Sequence, residues 1–227
     1  MNTVTIVGVV VVAVFSITSH EAAHAFVADR LGDPTARRQG RITLNPLPHI
    51  DPFFTVLLPL FLILSGSGFI FGGAKPVAVN VALLRKPRRD WALVGAAGPA
   101  MNVILALVLT MLLMMATKLG LAELDSSLVE VLVIGIFLNA LLAVFNLVPI
   151  PPLDGSRIVQ YYLSGEALAF YRRLEQFGLL IILALIMFVP PFQALLATTI
   201  FAFVELLTAP FGVWSEVEHV LRRVLFA

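Results

Sequence analysis

Five long apolar stretches divide the chain: Val4–Ala28, which carries ionisable residues in its second half, and the uncharged runs Phe53–Ala74, Trp91–Thr117, Val131–Leu153 and Phe177–Val204. A helix needs about 20 apolar residues to cross the hydrocarbon core of a bilayer. The last stretch contains Pro190-Pro191, which a straight helix interior excludes, so it is read as two helices, about 170–189 and 192–211. The pattern therefore predicts an all-α polytopic membrane protein, a bundle of about six transmembrane or re-entrant segments. Gly40–Leu44 (GRITL) and Lys75–Val81 (KPVAVNV) alternate small or polar with β-branched residues and read as short β-strands at the cytoplasmic side. The tail 212–226 is amphipathic enough to lie on a membrane surface or to pack on the bundle. No internal repeat or low-complexity tract is evident.

Composition sharpens this reading. Hydrophobic residues make up 59% of the 227 and charged residues 13%, against roughly 25% charged in a soluble domain. Mean hydropathy is +0.98. A soluble globule, a disordered chain and a nucleic-acid binder are excluded on this balance. There is no cysteine, hence no disulfide, no thiolate ligand and no thiol nucleophile. No basic residue precedes Arg30, so the first segment lacks the start of a signal peptide and is read as retained.

Basic residues then set the topology. If Phe53–Ala74 dips into the membrane and returns, the loops 29–51 and 75–90 share a face, joined by 154–175 and 205–223. All basic residues but Lys118 then lie on the cytoplasmic side. Pro59 and the glycines at 66, 68, 72 and 73 suit such a broken segment. The expected arrangement has the N-terminus outside, the C-terminus inside and multiple passes through the cell membrane.

The first segment holds His20-Glu21-Ala22-Ala23-His24. Residues i and i+4 of a helix share one face. Two imidazoles so placed can grip one metal ion, with Glu21 beside them to take a proton from water. Ionisable groups inside a span cost on the order of 2.5 kcal/mol or more each, so their presence points to function. A hydrolytic zinc site usually has a third protein ligand and one open position. The candidates are His49, His219 and Asp154. Asp154 ends the run Asn146-Leu147-Val148-Pro149-Ile150-Pro151-Pro152-Leu153-Asp154-Gly155, whose prolines and glycine should stop or unwind a helix. For that end to reach the histidines, its helix must run parallel to the first, which needs an odd number of crossings between them. Re-entry of Phe53–Ala74 supplies it and puts the site toward the cytoplasmic side.

SHEAAH, then LNPLPHIDP, GPAMN at 98–102 and NLVPIPPLDG at 146–155 resemble the site-2 protease family of intramembrane zinc metalloproteases, over roughly residues 15–160. The resemblance implies that His20, His24 and Asp154 bind one Zn2+ per chain, that Glu21 is the catalytic base and that Asn146 helps seat the substrate. It implies a minimal form without PDZ or CBS domains: a single membrane-embedded metalloprotease domain over 1–227, with a catalytic core at about 4–160 and C-terminal helices at about 168–227. The expected partners are the lipid bilayer and a membrane protein or peptide substrate, cut in or near a transmembrane segment. The rival reading is a non-catalytic metal-binding or transport protein, which gives no reason for Glu21 between the histidines. His49 is expected at the surface. Asn102 and Asn139 are expected to bond between helices, Gly95 and Gly98 to allow close helix packing, and Arg85–Arg89 to face anionic lipid.

Overall fold

A computed structural model of the chain describes residues 1–57, 60–61, 64–65 and 72–225; of these, the side chains of 54, 56 and 225 are not described. Its helices are α1 (Thr3–Arg30), α2 (Pro87–Lys118), α3 (Ser127–Asn146), α4 (Asp154–Tyr162), α5 (Gly165–Arg173), α6 (Gly178–Phe188), α7 (Pro190–Thr208) and α8 (Trp214–Leu225), with short turns of helix between them. Four are long and apolar enough to cross a membrane: α1, α2, α3, and α7 extended to Phe211. Their outward faces carry apolar side chains, Val4, Val7, Val11, Ile104, Met111 and Leu195 among them, as lipid-facing helices must.

Local chemistry sets the helix ends. Asn2 caps α1, its side chain accepting from Thr5 N at 2.9 Å, and Ser126 caps α3, each giving a free N–H of the first turn a partner. α2 begins with Pro87 at its first position, where the missing N–H costs nothing, and Asp90 reaches back to Lys86 N at 2.7 Å. α6 ends at Phe188 and α7 starts at Pro190. The break therefore falls where the two prolines were expected to put it.

α1, α2 and α3 form the centre of the bundle. α1 and α3 run parallel, with α2 antiparallel between them. Asn2 Nδ2 donates to Ser127 Oγ at 2.8 Å, and Thr5 Oγ1 donates to Glu130 at 2.7 Å, at one end. Asn139 bonds Ser16 at mid-height, and His20 and His24 meet Asp154 at the other end. This is the parallel arrangement that the choice of Asp154 demanded. The apolar core lies toward the opposite end, where Leu113, Val129, Val133, Ile136, Val204, Val213, Val217 and Val220 are buried together.

Two expectations are corrected. Among the described residues there is no strand: 40–44 is turn and bend, while 72–80 runs without ladder partners. The segment touches its neighbours at single points, Lys75 N to His49 O and Val77 N to Glu21, rather than through a ladder, so the alternation yields an extended strap rather than a sheet. The C-terminal helix also lies at the other end from that expected. Lys118 pairs with Glu216 at 3.5 Å, and Arg223 pairs with Glu130 at 2.9 Å and with Asp125. α8 thus sits with the 118–130 loop, away from the histidines, and its basic residues are neutralised by acids rather than by a lipid face. The interior of Phe53–Ala74 lies outside the described residues. Its two ends meet: Lys75 N donates to His49 O at 2.8 Å and Thr55 Oγ1 to Gly73 O at 2.6 Å.

Candidate metal centre

His20 and His24 project from one face of α1, and Asp154 opens α4 directly after the Pro-rich 149–153 run. All three are buried. His20 Nε2, His24 Nε2 and Asp154 Oδ2 stand 3.1 Å from one another in each pairing. Each ring's other nitrogen is committed elsewhere. His24 Nδ1 lies 2.7 Å from Val94 O, and His20 Nδ1 lies 2.6 Å from Asn102 Oδ1. Both partners are oxygens that can only accept, so each Nδ1 carries the proton and each neutral ring leaves Nε2 bare. Two nitrogen lone pairs and a carboxylate oxygen therefore converge on one point. No proton placement on neutral rings pairs them with one another, and a cation at the centre satisfies all three.

The second oxygen of Asp154 faces Arg157 at 3.2 Å, and the Arg157 guanidinium stacks over Trp91 at 4.5 Å. Gly98 forms the wall opposite: a Cβ there would stand 2.5 Å from His20 Nε2 and would also strike His24 Nε2. Gly95 likewise lets α2 approach Asp154 O and Arg157.

Glu21 points to one side of the ligands. Its Oε2 accepts from Val77 N at 3.2 Å, so the extended strap fixes the carboxylate. Arg41 ties the strap down by donating to Lys75 O and Pro48 O. His49 is not on the surface as expected; it is 3% exposed, packed beneath this strap with Nε2 donating to Thr43 O at 3.2 Å. Its Nδ1 has no partner among the described residues. Burial pushes its imidazole below the ordinary value, with the Thr43 bond opposing and Arg41 adding to the effect. His219 lies on α8 at the other end. Asn146 ends α3 and donates to Leu142 O at 2.9 Å; its contact with the ligand set is not direct.

Asn102 bonds between helices and Gly98 admits a close neighbour, as expected, but the sequence did not tie either to the histidines. Their spacing in GPAMN held the signal: i and i+4 put a gap and an acceptor on one helix face, the face α2 turns to the histidines.

These features define a class: a helical membrane protein with a buried ligand set able to hold one metal ion. Comparison with known proteins agrees. The model of peptidase family M50 matches residues 114–189. A Bacillus subtilis protein named "Putative zinc metalloprotease YwhC" is 41% identical over 185 residues, 80% of this chain and 80% of its own length. The "Putative zinc metalloprotease Rip2" of Mycobacterium tuberculosis strain H37Rv is 34% identical over 170 residues, 75% of this chain and 62% of the relative. Rip2 of Mycolicibacterium smegmatis is 34% identical over 172 residues, 75% of this chain and 63% of the relative. The chain thus spans less than two thirds of those Rip2 proteins. No solved structure matches the chain. The chain belongs to peptidase family M50, the site-2 proteases. It is a membrane-embedded metalloprotease of the intramembrane type, and zinc is its metal.

Proposed function

We propose that His20, His24 and Asp154 hold the zinc ion and that Glu21, within the HEAAH run, is the general base. One observation carries the ligand assignment: two bare imidazole nitrogens and a carboxylate oxygen converge within 3.1 Å in a buried site. The donor set suits the ion, since two imidazoles and one carboxylate make a hydrolytic zinc site with an open position. Zinc bound there supplies Lewis acidity to the scissile carbonyl and to the attacking water.

The protein's own groups do the rest. Asp154 and the two rings are held by outer partners, so ligand geometry is set before substrate arrives. Glu21 Oε1 carries no hydrogen bond among the described residues, while Oε2 is fixed by Val77 N. The carboxylate is thereby oriented to take a proton from the attacking water and later to give it to the leaving amine. Asn146 offers its side-chain carbonyl to a substrate backbone N–H, its Nδ2 being occupied by Leu142 O. A helical substrate must unwind before its carbonyls are accessible, because its own hydrogen bonds hide them.

The substrate is a membrane protein segment in or beside the bilayer. The protein is multi-pass, with the metal end toward the cytoplasm and one catalytic domain over 1–227. Three basic residues, Lys118, Arg222 and Arg223, lie at the far end, which leaves twelve of 15 at the metal end and supports that orientation. The meeting of His49 with Lys75 supports re-entry of Phe53–Ala74. No observation favours the non-catalytic metal-binding or transport reading.

The deciding experiment is Glu21→Gln in purified protein. The variant should retain about one zinc per chain, lose cleavage of a model transmembrane substrate and keep that substrate bound. Cleavage at the wild-type rate would remove Glu21 as base.

A further inference from the structure

We propose that Asn102 and Asn139 act as positioning residues. They form a directional relay from the backbone of α3 to His20 that keeps the ring's Nε2 free for metal. The inference rests on the zinc-ligand role of His20 argued above.

The direction is forced from one end. Asn139 Nδ2 stands 2.9 Å from Gly135 O and 2.8 Å from Ser16 Oγ. A backbone carbonyl only accepts, so the amide nitrogen must be on that side and Asn139 Oδ1 must face α2. Asn102 Nδ2 donates to Asn139 Oδ1 at 2.9 Å. That leaves Asn102 Oδ1 for His20 Nδ1, at 2.6 Å. An oxygen there can be satisfied only by Nδ1–H, and a neutral ring so protonated presents a bare Nε2. Reversing either amide would set N–H against N–H and oxygen against oxygen at its two contacts.

Burial gives the relay its force. Ser16 is 1% exposed, His20 7%, and Asn102 and Asn139 are both fully buried. Groups so buried are cut off from bulk solvent, so a mismatched link carries the desolvation penalty of an unpaired polar group. The two metal-binding rings are thus oriented by different means. His24 is fixed by a direct bond to Val94 O, whereas His20 is fixed through two side chains reaching a third helix. Ser16 and His20 are both on α1, one turn apart, so the path closes on the helix that carries the ligands. It sets the height of α1 against α2 and α3 at the metal.

A merely structural pair of asparagines and a directional relay predict different orders of damage. Aspartic acid, carried neutral in the dry interior, can do either amide's work. At 139 its O–H donates toward Gly135 O and its C=O accepts from Asn102. At 102 its O–H donates to Asn139 and its C=O faces His20. Leucine matches the volume and does neither. The experiment measures zinc affinity by chelator competition, together with thermal unfolding, for Asn102→Leu, Asn102→Asp, Asn139→Leu and Asn139→Asp in the full chain.

The relay predicts that both Leu variants lose about 10–100-fold in zinc affinity, the range for outer partners of a metal-bound histidine. Both Asp variants should stay within about threefold of wild type, even where they unfold at lower temperature. Asn139→Leu is the telling case, since Asn139 does not touch His20. Wild-type zinc affinity in Asn139→Leu, or equal losses in Asn139→Asp and Asn139→Leu, overturns the relay. Should a Leu variant fail to fold, a loss beyond tenfold in either Asp variant overturns it equally. His20→Ala is measured beside them: if it binds zinc like wild type, the ligand assignment fails and not the relay.

Discussion

Gly98→Ala is the smallest change that should disable the metal centre. Elsewhere in a helix the replacement would help, since alanine exceeds glycine in helix propensity by about 1 kcal/mol. At Gly98 the new methyl would lie 2.5 Å from His20 Nε2. An ordinary contact begins at 3.4 Å, so ring or helix must withdraw by about 0.9 Å. Zinc–ligand distances tolerate about 0.2 Å, and the displaced atoms are the ligand atoms themselves. The loss should therefore exceed the roughly 10–100-fold seen when outer partners are removed, and the unfolding temperature should fall, because overpacking a buried site costs about 1–3 kcal/mol, more than the helix gain. Gly135→Ala is the matched control. Its methyl would meet Val12 Cγ1 at 2.9 Å and Leu109 Cδ1 at 3.0 Å, both ends of side chains far from the metal, so packing suffers and zinc binding does not. Chelator competition on detergent-purified protein, with thermal unfolding alongside, reads both quantities. Wild-type zinc affinity in Gly98→Ala would refute the convergence of the three ligands beneath that glycine.

Asp154→Asn should lose zinc and cleavage, while His49→Ala keeps zinc, because the His49 ring bonds Thr43 O rather than the ligand set; zinc loss in His49→Ala alone would reverse the assignment. Single cysteines, free of any native thiol, should react with an impermeant reagent at 122 and 222 from one side and at 38 and 87 from the other; labelling of 38 and 87 from opposite sides would mean that Phe53–Ala74 spans. Because burial holds His49 below its ordinary value, the unfolded chain binds a proton there that the folded chain resists. Stability should then fall as pH drops below about 6.5, and His49→Gln should flatten that slope in thermal unfolding measured from pH 7.5 to 5.5.

The convergence of His20, His24 and Asp154 was legible because its signals are local and discrete: a one-turn His pair with an acid beside it, and an Asp after a run of prolines. The parallel course of α1 and α3 followed from counting crossings. The placement of His49 was not legible, because what buries it is the return of the chain at Lys75 and Val77, 26 and 28 positions further on. The strands failed for a related reason: alternation marks extended backbone, but a sheet needs a neighbouring segment that the sequence does not announce. The site of α8 depended on ion pairs with Lys118, Asp125 and Glu130, across 90 or more residues, and a count of basic residues alone missed the acids opposite them.

The uneven division of charge between the two ends makes the protein an electric dipole along the bundle axis. The metal end carries twelve basic and eight acidic side chains, and the far end three and six, which leaves about +4 and −3 and accounts for the chain's formal +1. A membrane at 100 mV acts on each elementary charge moved across it with about 2.3 kcal/mol. Turning the molecule over would move its two ends in opposite senses, so their contributions add rather than cancel. A membrane potential negative on the histidine side would therefore favour that orientation through charge, in the same sense as the basic loops.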